Sequence, residues 1–422
     1  MADKTKRSWF GRTVLAAVMP VAAQAQTVQD GMAAFEQGDY THALELLLPL
    51  AEQGDAEAQC QVGRLYYRGG DGVPQSFDDS VAWAKKSAEQ NNPCGLNSLG
   101  VSYRFGQGVD PDAKTAFDYF TRAAAQGFDK AQFSLGNMHE LGEGTAQSDA
   151  EARTWYRKAA EQGNAMGQYR LGILLLEGRG GEAAPEEAQQ LLRASAEQGL
   201  ADAQYSLGWM ANHGVGVKQD HGQALEWYRL AAEQGYAPAQ INLGNLYAEG
   251  LGTSQDDEKA VGWYYEAARN GVPAAQVNMG KHYALGRGVQ QDFDEAMVWY
   301  QQAAEYGEPV AYLNVGLLYE NGQGRPADPA EAARWYRAAA ERGEPRSLAK
   351  LAHFYAEGIS VTPDAVTAWA LQDTAMAYDR DGELDAPEER LMQMGQQLAP
   401  QQKGEAKALA QSWQNGEELV LP

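Results

Sequence analysis

The sequence predicts an all-α chain, an α/α superhelical solenoid of helix-turn-helix repeats, and three observations carry that prediction. The motif AEQG or a close variant recurs with its glycine at 127, 163, 199, 235, 271, 307 and 343, a constant step of 36 residues. A second glycine follows nine residues later, at Gly136, Gly172, Gly208, Gly244, Gly280 and Gly316. Apolar and small residues are spaced three and four apart on either side of a glycine-rich break, as paired amphipathic helices require.

Residues 1–25 read as a removable secretory signal. Basic Lys4, Lys6, Arg7 and Arg12 precede an apolar stretch at 14–23, and Ala23-Gln24-Ala25 supplies the small-x-small cleavage pattern, making Gln26 the expected mature start. An uncleaved anchor is the alternative, but about ten apolar residues are short for a bilayer. No later stretch is long and apolar enough to span one, so the mature chain is not expected to be membrane-spanning. The expected address is the periplasm of a Gram-negative bacterium or the medium outside it.

Residues 55–378 hold nine units. Gly63 and Gly100 extend the series upstream, with a step of 37 because the loop Arg68-Gly69-Gly70-Asp71-Gly72 carries an extra residue. Within a unit, Ala-x-Ala-Gln-x-x-Leu-Gly-x-x-Tyr forms a first helix. Glycine pairs such as 142/144, 250/252 and 286/288 then break it, since Gly tolerates positive φ. A second helix follows, marked by Trp155-Tyr156, Trp227-Tyr228, Trp263-Tyr264, Trp299-Tyr300 and Trp335-Tyr336. The mid-helix Gly costs about 1 kcal/mol relative to Ala, so close helix-helix approach is the expected compensation. One hairpin cannot bury its own apolar face, so neighbours must stack, and the aromatic pair is read as a packing device rather than a ladder for sugars or bases.

These residues carry a family resemblance. Ala239-Gln240-Ile241-Asn242-Leu243-Gly244-Asn245-Leu246-Tyr247, Gly250-Leu251-Gly252, Ala260-Val261-Gly262-Trp263-Tyr264 and Ala267-Ala268 resemble the Sel-one-like repeat family, cousins of the tetratricopeptide repeats, and the likeness covers 55–378. It implies an α/α solenoid adaptor and names no partner. Residues 26–54, with Ala33-Ala34-Phe35 and Gly38-Asp39-Tyr40, resemble a shorter tetratricopeptide-like hairpin that caps the N-terminal end. Repeat four replaces Trp-Tyr by Leu191-Leu192, and the ninth unit replaces the Leu-Gly glycine by Ala352 and brings Trp369 forward. Polar helices near 387–398 and 400–415 form the expected C-terminal cap within 379–422.

Composition narrows the function classes. Apolar residues at 44% with 10% aromatics supply a core, while 57 Asp+Glu against 34 Lys+Arg repel phosphate backbones, so nucleic acid is not an expected partner. Cys60 and Cys94 sit about one helical turn apart in register on neighbouring first helices; a disulfide and two inert thiols are both open readings.

Catalytic chemistry finds little support. Ser347-Leu348-Ala349-Lys350 matches the Ser-x-x-Lys of penicillin-recognising enzymes, yet neither Ser-Asp-Asn nor Lys-Thr-Gly occurs. The acidic run 379–388 fits later positions of a calcium loop, but Ala377 stands where the first ligand belongs. The structural reading of that run has Asp385 capping the next helix, with Pro387 in its first turn and Glu388 completing the box. The six histidines share no repeat position or ligand spacing, so no metal and no cofactor is expected.

Binding is expected on the first helices, which line the concave surface of helical-hairpin solenoids. Relative to the Leu-Gly glycine, the positions two before and one after provide Asn137, Arg170, Trp209, Asn242, Asn245, Asn278, Lys281 and Asn314. An Asn ladder can hold an extended peptide by its backbone, with Arg170 and Trp209 as anchors; the bland alternative has these amides satisfying neighbouring repeats. The chain therefore reads as a non-enzymatic exported scaffold holding a protein or peptide in a concave groove. A peptidoglycan- or β-lactam-directed protein and a secreted binder of a host protein are the alternatives.

Overall fold

Each repeat is fixed at its ends before it is fixed by its core. In the computed structural model, which describes residues 27–421, second helices recurrently begin at a Ser or Asp in extended backbone whose side chain accepts from N–H groups of the first turn. Ser76 accepts from Asp79 N at 3.2 Å, and Asp292 from Asp294 N and Glu295 N at 2.9 and 3.0 Å. These contacts satisfy donors that a helix cannot satisfy itself. First helices end on a glycine in the left-handed region, such as Gly250 at φ +70°, which closes the helix without a Cβ clash.

The chain divides into two compact units between Asn164 and Ala165. In the first, hairpins pair α1 (Val28–Glu36) with α2 (Tyr40–Glu52), α3 (Ala56–Arg68) with α4 (Phe77–Glu89), α5 (Pro93–Phe105) with α6 (Ala113–Ala125), and α7 (Asp129–Leu141) with α8 (Asp149–Glu161). Leu47, Leu65, Leu96, Leu99, Phe120 and Leu135 are fully buried between them. A disulfide joins Cys60 of α3 to Cys94 of α5, with Cα atoms 5.9 Å apart.

The second unit continues with α9 (Ala165–Glu177) on α10 (Pro185–Glu197), α11 (Ala201–His213) on α12 (His221–Glu233), and α13 (Ala237–Glu249) on α14 (Asp257–Ala268). It goes on with α15 (Pro273–Leu285) on α16 (Phe293–Glu305), α17 (Pro309–Asn321) on α18 (Pro329–Ala340), and α19 (Pro345–Glu357) on α20 (Ala365–Tyr378). Two shorter-range additions follow, α21 (Pro387–Gln396) and α22 (Pro400–Gln414). α21 buries none of its residues. α22 buries Ala406, Ala410 and Trp413 and is tied to α20 by the Tyr378 hydroxyl, which donates to Trp413 O at 3.0 Å. Every described element is a helix, and the helix pairs pack in tandem, which makes the fold an all-α repeat solenoid.

The tyrosine of each Trp-Tyr pair lies against the mid-helix glycine of its own hairpin. A Cβ on Gly244 would stand 2.6 Å from a ring carbon of Tyr264, and the same holds at 2.5 Å for Gly280 with Tyr300 and Gly316 with Tyr336. The expected close approach is thus a ring seated on bare backbone. Where repeat four has Leu192, the distance to a Gly172 Cβ relaxes to 2.9 Å. In the ninth unit Ala352 replaces the glycine and Ala370 follows Trp369, both fully buried, so volume added on one helix is matched by volume lost on the other.

A buried amide ladder locks consecutive repeats. Gln204 on α11 donates to Ala196 O at 3.1 Å and accepts from Gln234 of the next inter-repeat turn at 2.8 Å. Gln132 and Gln162 repeat the pair in the first unit at 2.7 Å, and Gln168 and Gln198 in the second at 2.8 Å. This is why Gln recurs in both Ala-x-Ala-Gln and AEQG: each amide satisfies a carbonyl or an amide that stacking would otherwise bury unpaired.

Candidate interaction surface

Core register fixes which first-helix side chains remain available. The position after the glycine points along the edge of the buried tyrosine, so a short amide there meets the phenol. The Tyr264 hydroxyl donates to Asn245 Oδ1 at 2.6 Å, and the Tyr156 hydroxyl shares its one proton between Asn137 Oδ1 at 2.9 Å and the Glu140 carboxylate at 2.8 Å. Both amides therefore satisfy their own hairpins. Where Trp209 takes that position, the buried Tyr228 hydroxyl meets no amide of its own hairpin and lies beside Asn242 of the next repeat instead. Burial pushes the Tyr228 phenol well above its ordinary pKa, with Asn242 alongside opposing the shift.

The remaining predicted residues differ in commitment. Asn314 donates to Val310 O at 2.9 Å within its own helix. Arg170, Asn242 and Asn278 are half-buried, and Lys281 is exposed. Trp209 is 37% exposed and stacks on exposed His213 with ring centroids 4.8 Å apart.

Asn245, Asn278 and Lys281 come together in one cleft of about 100 Å³ between α13 and α15, with Glu249, His282 and Arg287 completing its lining. Arg287 reaches back to Asp257 at 2.7 Å and donates to Ala248 O at 3.0 Å, which holds the Asp257 carboxyl below its usual range. His282 is 5% exposed, and its Nδ1 lies 2.8 Å from Arg287 O. A carbonyl only accepts, so Nδ1 carries the proton. Burial pulls the His282 pKa below its ordinary 6.5, so the neutral ring is favoured. The cleft offers amide groups and the exposed ammonium of Lys281, which forms no ion pair among the described residues, the chemistry of peptide contact.

The repeat pattern has a recognised counterpart. The Sel1 repeat model matches ten consecutive stretches: 30–55, 56–92, 95–128, 129–164, 165–200, 201–236, 237–272, 273–307, 309–344 and 345–371. The chain belongs to the Sel1 repeat family. Among solved structures it is 30% identical to a protective antigen present in uropathogenic Escherichia coli strains that displays an SLR fold, covering 94% of this chain and 96% of that one with a TM-score of 0.55. It is 28% identical to a Sel1 repeat protein from Oxalobacter formigenes, covering 80% and 93% with a TM-score of 0.58. No curated protein matches the chain. The first Sel1 repeat match begins at residue 30 and so takes in the hairpin α1–α2, which the sequence reading set apart as a cap.

The Sel1 scaffold also accounts for the motifs that suggested chemistry. Ser347 is 0% exposed; its backbone N–H donates to Glu344 at 2.5 Å and its Oγ has no partner among the described residues. Lys350 is held by both oxygens of Glu320, at 3.1 and 2.9 Å, and the Tyr336 hydroxyl donates to the same carboxylate. The serine faces the repeat interior, the lysine a fixed ion pair. In the acidic run, Asp379 accepts from Glu383 N and Leu384 N at 2.8 and 3.1 Å, and Glu383 pairs with Arg346 at 3.1 Å. The expected Asp385 cap is corrected: Ala386 at φ +45° begins α21 with no side-chain cap, and Asp385 instead pairs with Arg390 at 3.2 Å. Pro387 does stand in the first turn. Among the described residues no three His, Cys, Asp or Glu side chains gather to hold a metal.

Sequence reasoning missed His282. The available signal was a polar residue in a register that Met138, Leu174, Met210, Leu246 and Leu318 keep apolar in other Sel1 repeats.

Proposed function

We propose that this Sel1 repeat protein is an exported scaffold that binds a protein or peptide along the first-helix face of its repeats and organises a complex at the cell envelope. One observation carries the reading. Across repeats the position before the glycine stays apolar and buried, as at Leu171, Leu207, Leu243, Met279 and Val315, while the position after it runs through Ile173, Trp209, Asn245, Lys281 and Leu317. Packing accounts for Ile173, Asn245 and Leu317, which meet the core or the phenol of their own hairpin, but it gives no reason for the exposed Trp209 and Lys281, whereas partner specificity does. Trp209 and Lys281 are its most exposed members, and aromatic side chains anchor interfaces efficiently.

Export is supported by the basic, apolar and small-residue succession of residues 1–25, which lie outside the described residues, and by the Cys60–Cys94 bridge, which suits an oxidising compartment. A protective antigen as a 30% identical relative accords with that address. Two measurements test the reading. The mass of protein recovered from a periplasmic or secreted fraction is expected to correspond to a chain starting at Gln26. Crosslinking capture from envelope extract is expected to lose its specific partner with Trp209→Ala combined with Lys281→Glu; an unchanged set of captured proteins from a folded variant would remove the first-helix face from the function.

A further inference from the structure

The geometry points to a second binding element in the first unit: a pocket that takes a carboxylate of a peptide partner between Arg64 of α3 and Lys130 of α7. It rests on the scaffold reading in one respect, that the partner is a protein, and gives that partner a chemistry. The pocket, about 160 Å³, is lined by Arg64, Tyr67, Asn97, Val101, Phe128 and Lys130 among others. Small-molecule and cofactor sites usually run to about 300–1,000 Å³, so this opening suits one side chain or one chain end.

Positive charge is scarce in a chain of net charge −23, yet here two cations face one cavity and neither forms an ion pair among the described residues. Among the described residues Arg64 donates only to Gln61 Oε1, at 2.7 Å, and Gln61 is itself held by Glu57 at 2.6 Å. The guanidinium also packs on the Phe35 ring at 5.1 Å. These contacts fix its orientation while its other donors have no partner among the described residues, the arrangement a bidentate carboxylate needs. Burial pulls the Arg64 pKa below its ordinary value, with Glu57 and Glu36 opposing; an entering anion adds an opposite charge that favours the charged guanidinium against that burial. Lys130 at the rim is exposed and forms no ion pair among the described residues.

A third group asks for the rest of the ligand. Asn97 Oδ1 is buried with no donor among the described residues, and a buried acceptor left unpaired is costly. A peptide N–H supplies that donor. Val101, Phe128 and the Tyr67 ring form an apolar wall for the side chain alongside. A singly charged carboxylate also suits the site better than phosphate, because the acidic chain repels a dianion more strongly.

The test is a random heptapeptide library with free C-termini, selected against the purified protein, followed by titration of the synthetic winners. Selected peptides are expected to lose affinity about tenfold or more when their carboxylate is converted to an amide. Comparing C-terminal amidation with Glu→Gln or Asp→Asn shows whether chain end or side chain supplies it. Arg64→Gln is expected to match that loss, and Lys130→Glu, a rim change that leaves the core untouched, to weaken binding in the same direction. Selection of no peptide, or binding that survives full amidation or both substitutions, overturns the pocket. Peptides lost with Trp209→Ala and Lys281→Glu but kept by Arg64→Gln sink the pocket alone; a captured partner indifferent to the second-unit face but dependent on Arg64 sinks only the face.

Discussion

Gln240 Oε1 is buried without a donor among the described residues, and the residue that should supply one is Asn270, whose amide turns back to Glu266 O at 2.9 Å. One repeat earlier, Gln234 spans the same gap to Gln204 at 2.8 Å. Asparagine is one methylene too short for the ladder. Asn270→Gln is therefore expected to stabilise the second unit by about 1 kcal/mol, the value of a restored buried hydrogen bond. Urea unfolding measures it; a lower midpoint would mean that the longer amide does not enter the interface.

Gly244 makes the opposite point about size. Alanine improves helix propensity by about 1 kcal/mol, but its methyl would lie 2.6 Å from a ring carbon of Tyr264. Overpacking of this kind costs about 1–3 kcal/mol, and the ring is held by its bond to Asn245. Gly244→Ala is expected to lower the melting temperature, and Gly172→Ala, facing Leu192 at 2.9 Å, to lower it less.

These pairs also show what was legible beforehand. Gly244 and Tyr264 recur at fixed spacing, so the sequence alone disclosed helix pairs, their turns and the close approach between them. The availability of Asn245 and Asn137 was not legible, because it depends on whether a phenol from the next helix reaches the amide. Asp385 was misread for a related reason: an acidic residue before Pro387 suits a cap, but the chain enters α21 through Ala386 in the left-handed region, and the carboxylate turns to Arg390.

Ser347 is buried, and its Oγ has no partner among the described residues. Removing an unsatisfied buried hydroxyl avoids a desolvation cost of about 1–3 kcal/mol, so Ser347→Ala is expected to leave stability unchanged or raised. A catalytic serine predicts a different signature. Nitrocefin turnover by the wild type that disappears in Ser347→Ala would restore the enzymatic alternative despite the burial.

Cys60 and Cys94 close a loop with a sequence separation of 34. Chain entropy assigns such a cross-link about 3–4 kcal/mol. Reduction, or Cys60→Ser with Cys94→Ser, is expected to raise hydrogen exchange in α3 through α5 while α13 through α18, which lie in the other unit, keep their protection. Uniform loss across both units would contradict a local role.

His282 gives the fold an acid-sensitive position. Its folded pKa is pulled below 6.5 by burial, with Arg287 acting through both a favourable backbone contact and an unfavourable charge. Above 6.5 the ring is neutral folded or unfolded, and the residue contributes no pH dependence. As the pH falls through 6.5, the unfolded chain takes up a proton that the folded chain resists, so stability is lost on acidification until the lower folded pKa is reached. Asp257, whose own pKa is lowered by Arg287, stays ionised through that window, as do most other carboxylates. The difference between wild type and His282→Leu, a residue the same register carries at Leu246 and Leu318, therefore isolates the imidazole. Melting temperatures between pH 7.5 and 5 are expected to converge on a constant offset at the upper end and to diverge in favour of the leucine variant below about pH 6.5. Parallel curves would mean that His282 takes up its proton inside the cleft at no cost, with Glu249 on the opposite wall as the group able to compensate it.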